Sequence, residues 1–173
     1  VDFRRNFSYN EIDDLNILPH PDWSDLIYKN CDISYDKDNN LLVNEKKLSI
    51  PINGSRGCVR NCSFCDIRSH WHKFRFRTGK NIANEIVEIN KRHDITKFHF
   101  TDSLINGSML AFRDLCVVMA EYHANPNNKK IAWSGQFICR SPRQQTLDDY
   151  KLMKAANLDY VVIGVESGSE SVR

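Results

Sequence analysis

The stretch that decides the fold is residues 48–65, with the sequence LSIPINGSRGCVRNCSFC. The apolar run at 48–53 is typical of a buried strand, and the glycines after it predict a tight loop. Cysteines follow in that loop with the spacing Cys-x3-Cys-x2-Cys, at Cys58, Cys62 and Cys65. Thiolates this close in sequence can surround one compact metal centre. The stretch therefore predicts a metal site just after the first core strand.

Two kinds of metal centre suit this set of thiolates. On a four-iron cluster three protein ligands leave one iron open, and an open iron binds a chelating substrate through amino and carboxylate groups. The alternative is structural zinc, with His70, His72 or Asp66 as the fourth ligand. Structural zinc loops rarely lie at the first strand-to-helix turn of a repeating βα domain. This context favours the iron–sulfur interpretation.

Downstream of the cysteines, strand and helix patterns alternate. Beyond the first strand, strands are predicted at 97–101, 130–136 and 160–165, and helices from Asn81, at 108–123 and, after a capping-box pattern, at 146–156. Such alternation implies parallel strands with right-handed crossovers, in an open sheet or in part of a barrel. In both architectures the active site is expected at the C-terminal ends of the strands.

Composition narrows the class of protein. The chain has 173 residues, 41% hydrophobic and 27% charged, which is ordinary for a globular domain. Its 24 Lys and Arg nearly balance 22 Asp and Glu, so net charge gives no case for nucleic acid or an anionic membrane as partner. The sequence has neither an apolar run of membrane-spanning length nor a signal peptide at its start. We expect a cytoplasmic protein, because clustered cysteines favour a reducing compartment.

The cysteine motif, with Phe64 at the aromatic position before the third cysteine, resembles the signature of the radical S-adenosylmethionine (SAM) superfamily. The resemblance implies an α/β fold, a truncated partial (β/α)6 barrel with about four βα units within residues 48–173. It also implies a 4Fe-4S cluster on the cysteines, SAM on the open iron and Phe64 in the cofactor site. The implied reaction is reductive cleavage of SAM to a 5′-deoxyadenosyl radical, which then takes a hydrogen atom from a substrate.

The same resemblance suggests two further SAM-pocket residues, and the predicted third strand adds two more. Asp102 stands where the family carries a Gly-Gly-Glu-like stretch and would accept from the SAM ammonium, with a helix N-cap or turn role as the alternative. Glu166, in GVESGS after the fourth strand, would bind ribose hydroxyls or the ammonium, with turn chemistry as the alternative. Ser134 and Gln136 are expected near the same rim, at the end of the third strand.

Residues 56–80 are strongly basic, with seven Lys or Arg and a single acid, Asp66. Cations stabilise an anionic thiolate cluster, and Arg56 and Arg60 are best placed to do so. Within this region, residues 70–77 (HWHKFRFR) alternate aromatic and basic side chains, as single-stranded nucleic-acid surfaces do. A half-buried extended segment with a solvated face explains the alternation without a ligand and is favoured.

For three other residues the sequence predicts only pairing or burial. Arg140 either pairs with a carboxylate or is a plain surface arginine, and the second is favoured. Cys116 and Cys139 have apolar neighbours and are expected to be buried, unreactive thiols.

Three segments together look like the cobalamin-binding group of radical SAM enzymes: residues 21–25, the GSRGC sequence at 54–58 and residues 100–108. We therefore expect a fragment, with residues 1–47 as an acidic, turn-rich linker or extension, holding one hairpin, after a cobalamin-binding domain. Expected partners are a small-molecule or metabolite substrate and a low-potential electron donor such as a flavodoxin or ferredoxin. Methyl transfer and other radical reactions stay open. The rival function is a zinc-stabilised nucleic-acid-binding module, which leaves the βα alternation unexplained.

Overall fold

The computed structural model describes residues 10–24, 32–35, 41–44 and 49–169. The strands are β1 Asp32–Tyr35, β2 Leu41–Asn44, β3 Ile50–Ile52, β4 Ser55–Arg56, β5 Arg75–Phe76, β6 Lys97–Phe100, β7 Ala132–Phe137 and β8 Leu158–Ile163. The helices are α1 Ile67–His70, α2 Gly79–His93, α3 Met109–Ala124 and α4 Leu147–Ala155, with a 3₁₀ turn at Leu15–Ile17. None of the helices in these ranges is long and apolar enough to cross a membrane.

The centre of the fold is a four-stranded parallel sheet in the order β3-β6-β7-β8. Each strand pairs with the next strand of the βα series, and α2, α3 and α4 form the connections. The predicted alternation is therefore confirmed. A separate antiparallel hairpin, β1–β2, lies within the first 47 residues, as expected.

The predicted bounds of the fourth strand, 160–165, are wrong by two residues. The strand β8 starts at Leu158, and its ladder with β7 ends at the pair Phe137↔Ile163. A register irregularity at Trp133 and Ser134 shifts the pairing near the start of β7. Because β7 ends at Phe137, the ladder stops at Ile163, and Gly164 belongs to the loop.

The two longer helices form where capping and apolar spacing agree. The helix α2 begins after Thr78, whose hydroxyl accepts from the Asn81 N–H at 3.2 Å, and its buried face includes Ile82, Ile86 and Ile89. The helix α3 is capped in the same way by Ser108. At Gly79 the two helices are in such close contact that a Cβ would lie 2.0 Å from the Leu115 amide nitrogen.

These helices cover one face of the sheet and make the core. The face includes Ile52, Phe98, Phe100 and Trp133, each at most 2% exposed. The Trp133 indole also donates to the Ala156 carbonyl at 2.8 Å, so its polar atom is paired in the core. Burying an apolar side chain of this size stabilises the fold by about 1.5–3 kcal/mol.

The other face of the sheet carries different residues, because side chains alternate along a strand. One row across the strands pairs Pro51 with His99, His99 with Ser134 and Ser134 with Tyr160. Gln136 follows Ser134 on the same side, one row nearer the C-terminal ends. We call this set of five residues the polar face.

Candidate functional site

The predicted cysteines lie on one loop at the C-terminal end of β3. This cysteine loop, residues 57–74, is closed at its base by the antiparallel pair β4–β5, in which Arg56 lies opposite Arg75. Gly57 has φ +84°, and a Cβ there would lie 2.5 Å from the Lys73 carbonyl oxygen. Glycine is required because the two arms of the loop meet at this point.

The three cysteines are free thiols that face solvent to different degrees. Cys58 is half-buried, and Cys62 and Cys65 are exposed. The Cys58 sulfur accepts from the Arg60 amide at 3.4 Å. In the part of the chain described, no group of three His, Cys, Asp or Glu side chains converges closely enough to hold a metal ion. The ligand role of these cysteines therefore stays a prediction, although three unpaired thiols on one short loop have the donor chemistry an iron–sulfur cluster needs.

The residues proposed as a fourth zinc ligand have other contacts. His70 Nε2 lies 3.4 Å from the Asp66 carboxylate. The His72 ring lies 3.3 Å from Glu11, a residue of the N-terminal segment. Phe64, beside the third cysteine, is 70% exposed.

Asp102 is buried at the base of the cysteine loop. It is 4% exposed, and its carboxylate accepts from the Gly54 amide at 2.9 Å and from the Ser55 hydroxyl. Burial raises the pKa of Asp102 to about 6. The alternative interpretation as a helix N-cap is wrong, because Ser108 caps α3. Asp102 instead joins the end of β6 to the chain just before the cysteines.

Ser134 and Gln136 both lie on the polar face, as expected for neighbours two residues apart. Ser134 is buried, and its hydroxyl oxygen is 2.9 Å from His99 Nδ1. Gln136 is exposed. The sequence reasoning missed His99, although a polar residue between the buried Phe98 and Phe100 of a strand must point to the opposite face.

The remaining candidates differ from expectation in part. Glu166 is exposed beyond the end of β8. Arg140 is not a plain surface residue, since it donates to the Asn106 and Gly107 carbonyls at 2.8 and 2.9 Å, and it pairs with no carboxylate among the described residues. Cys116 is buried as expected, and burial raises its thiol pKa to about 12. Cys139 is exposed, so the prediction that it is buried is wrong.

The alternating segment 70–77 is extended near its end, but its buried side is the basic one. Arg75 and Arg77 are 6% and 8% exposed, whereas Phe76 is 41% exposed. The segment is therefore half-buried with a solvated face, as favoured, and the two arginines lie on its buried side, where they are not available to contact nucleic acid. Both arginines are buried against carboxylates. Arg75 lies 3.0 Å from Glu11, which is far away in sequence, and Arg77 forms an ion pair with Glu85, eight residues further along the chain.

These two glutamates are functional-site neighbours that sequence reasoning missed. Glu85 is 1% exposed and lies between Ile82 and Ile86 on the buried face of α2. A carboxylate in an apolar helix face requires a cation, which was the available signal. No comparable signal marked Glu11, because it lies outside any periodic segment.

Comparison with known proteins gives a consistent set of relatives. A family model described as the radical SAM superfamily matches residues 52–173. The chain is similar to the anaerobic magnesium-protoporphyrin IX monomethyl ester cyclase of Synechocystis sp., at 30% identity over 76 residues, 43% of this chain and 15% of that protein. It is also similar to the cytidylyl-2-hydroxyethylphosphonate methyltransferase of Streptomyces wedmorensis, at 32% identity over 62 residues, 35% of this chain and 12% of that protein.

Among solved structures, the chain resembles the radical S-adenosylmethionine methyltransferase TsrM from Kitasatospora setae, determined with tryptophan substrate and a SAM analog bound. The TM-score is 0.60 at 20% identity, covering 70% of this chain and 22% of that one. A second structure of TsrM holds cobalamin and a [4Fe-4S] cluster. The likeness shows the fold, a mixed α/β partial barrel. The aligned residues span less than a quarter of each of these relatives.

Proposed function

The chain belongs to the radical SAM superfamily, and from this premise we propose that it forms the cluster-bearing part of an enzyme that cleaves SAM reductively. The observation that carries the proposal is the cysteine loop. Its three free thiols follow the first strand of a parallel βα sheet. Active sites of such sheets lie at the C-terminal ends of the strands.

In this proposal Cys58, Cys62 and Cys65 hold a 4Fe-4S cluster. When bound, the cluster supplies the electron that breaks SAM into methionine and a 5′-deoxyadenosyl radical. The protein's task is to hold the thiols and to provide compensating charge. Arg60 donates its amide to Cys58, and its own side chain is exposed beside the loop, where it offsets thiolate charge.

We propose a SAM pocket that lies beside the cysteine loop at the C-terminal ends of the strands. We assign Gln136 and Glu166 to it as polar contacts, because both are exposed, Gln136 near the end of β7 and Glu166 beyond the end of the neighbouring strand β8. Ser134 orients His99 on the same face, and Phe64 is exposed for contact with the cofactor. Asp102 reaches SAM only by exchanging its bonds to Gly54 and Ser55, so its principal role is to hold the loop base.

We propose a small-molecule substrate and a cobalamin-dependent reaction. This proposal is supported by the similarity of the chain to a methyltransferase and to a cyclase, and by the cobalamin bound in one structure of TsrM. Residues 1–47 would then link this domain to a cobalamin-binding domain. We place the protein in the cytoplasm, because free thiols on an exposed loop need a reducing compartment. A flavodoxin or ferredoxin would supply the electrons there.

The test uses the full-length protein purified without oxygen and loaded with iron and sulfide. We expect visible absorption from thiolate-to-iron transitions, about four irons per chain, and 5′-deoxyadenosine when SAM and dithionite are added. Cys62→Ala should abolish the absorption and the product. The matched control is Cys139→Ala, since Cys139 is equally exposed but lies outside the cysteine loop. A colourless, zinc-loaded protein, or equal loss in both variants, would contradict the proposal.

A further inference from the structure

The N-terminal segment lies directly against the cysteine loop. Glu11 accepts from the backbone amide of His72 at 2.8 Å, and the Ile12 carbonyl accepts from the Arg75 guanidinium at 2.6 Å. Asp13 pairs with Lys73 at 2.9 Å. Three consecutive residues of this segment therefore contact the same returning arm of the loop, although about sixty positions separate them in sequence.

The contact between Glu11 and Arg75 is buried. The side chains are 6% and 5% exposed, and their closest charged atoms are 3.0 Å apart. The hydrogen bond from the His72 amide lowers the pKa of Glu11, and the nearby Arg75 charge lowers it further. The carboxylate is therefore ionised at neutral pH, and each charge compensates the other away from water.

Arg75 carries this contact into the loop. Its guanidinium lies 5.4 Å from the centre of the Trp71 ring, and the Arg56 guanidinium lies 5.1 Å from the same ring. Cation–aromatic contacts of this kind fix both the ring and the cations. Trp71 thus connects the two strands at the base of the loop, only six residues after Cys65.

We propose that Glu11 is a positioning residue of the cysteine loop, acting through Arg75 and Trp71. The inference rests on the proposed function, because the loop that Glu11 positions is the loop proposed to bind the cluster. Glu11 neutralises the buried Arg75 guanidinium, which donates its hydrogen bond to the neighbouring Ile12 carbonyl. Arg75 and Arg56 contact Trp71, and Trp71 holds the arm that follows the third cysteine. The N-terminal segment is then part of the cluster site and not a passive linker.

The chain offers a matched control in Asp13. It lies two residues from Glu11 and pairs with the same loop, but its side chain is 77% exposed and that of Lys73 is 63% exposed. Water screens such a pair, so removing one charge has little effect. Glu11→Gln and Asp13→Asn thus remove one carboxylate each from the same segment, one in a buried contact and one in a solvated contact.

The first measurement is amide hydrogen exchange of the full-length protein without a cluster. We expect Glu11→Gln to speed exchange across residues 58–71 at least tenfold, a factor equivalent to about 1.4 kcal/mol. Asp13→Asn should change it by less than about twofold. Equal protection in wild type and Glu11→Gln would overturn the inference.

The second measurement is the midpoint potential of the loaded cluster. Glu11→Gln leaves the buried Arg75 charge uncompensated, so the potential should rise, whereas Asp13→Asn should leave it near the wild-type value. A shift that is the same in both variants would overturn the inference. A wild-type protein that takes up no cluster would refute the proposed function, yet the exchange measurement would still decide the role of Glu11.

A double variant separates positioning from stability. Glu11→Leu with Arg75→Met removes both charges and leaves no buried ion unpaired, so the fold should recover if the single variant is unstable. Exchange of residues 58–71 should nevertheless remain fast, because neither the contact from Glu11 nor the Arg75 cation over Trp71 is restored and only Arg56 remains over the ring. Recovery of both stability and slow exchange would overturn the inference.

Discussion

The cysteine loop and its base are neighbours with opposite physical character. In the loop, Cys62, Cys65 and Phe64 are exposed to solvent. At the base, Arg77 and Asp102 are buried, and each is held by several hydrogen bonds. The groups that the proposed function assigns to the cofactor are accessible, whereas the groups at the base of the loop are removed from water.

This difference shows how a short exposed loop can be placed accurately. Thiols cost little to expose, but a loop of exposed residues has no core of its own to define its shape. Buried charges define geometry because any displacement leaves an ion unpaired at high cost. Substitutions at the base and in the loop test this difference between buried and exposed residues.

Removing a buried charge at the base should be severe. Arg77→Met breaks the ion pair with Glu85, along with hydrogen bonds to Asn81 and the Asn53 carbonyl, and leaves a carboxylate buried in α2. We expect a loss of about 3–5 kcal/mol in the free energy of unfolding, measured by urea denaturation.

Arg92→Met is the matched control for this change. Arg92 pairs with Glu88 on the same helix, but both side chains are at least half exposed. Its loss should cost about 0–1 kcal/mol. Similar costs for the two variants would mean that the base is not the rigid region.

The second prediction concerns pH. The pKa of Asp102 is raised from 3.8 to about 6 in the folded protein, so the folded state binds this proton more tightly than the unfolded chain does. The contribution of Asp102 to stability is therefore full below roughly pH 4 and is lost as the pH rises through about 6, by up to about 3 kcal/mol. Asp102→Asn should remove this decline.

The measurement is urea unfolding of wild type and Asp102→Asn between roughly pH 4 and pH 7.5, compared as a difference so that other titrating groups cancel. We expect the variant to gain stability relative to wild type as the pH rises. Asp148→Asn serves as control, because that side chain is 85% exposed. Parallel curves for wild type and Asp102→Asn would show that Asp102 is not desolvated at the loop base.

The smallest effect on stability should come from the loop itself. Cys62→Ser changes an exposed thiol, so the protein without its cluster should unfold within about 0.5 kcal/mol of wild type. Iron uptake, measured on the same preparation, should be lost. A large destabilisation without the cluster would show that the cysteine loop contributes to the core and would remove the distinction between loop and base.

Much of the fold follows from local sequence. Apolar spacing predicted α2 and α3, the capping signal predicted α4, and the order of strands and helices predicted a parallel sheet. The shift of β8 was not predictable, because a strand ends where its partner β7 ends and not where its own apolar run does.

The candidate site was likewise predictable only in part. The cysteine spacing and Phe64 indicated the family and the loop, because a motif on one short segment is visible in the sequence. The burial of Arg75 and Arg77, the inward direction of Asp102 and the exposure of Cys139 were decided only in three dimensions. A charged side chain is buried only where a partner compensates it, and the partners of Arg75 and Asp102, Glu11 and Gly54, are far from them in sequence. Periodicity in the sequence indicates which face of a strand or helix a residue lies on, and tertiary contacts decide whether that face is exposed to solvent.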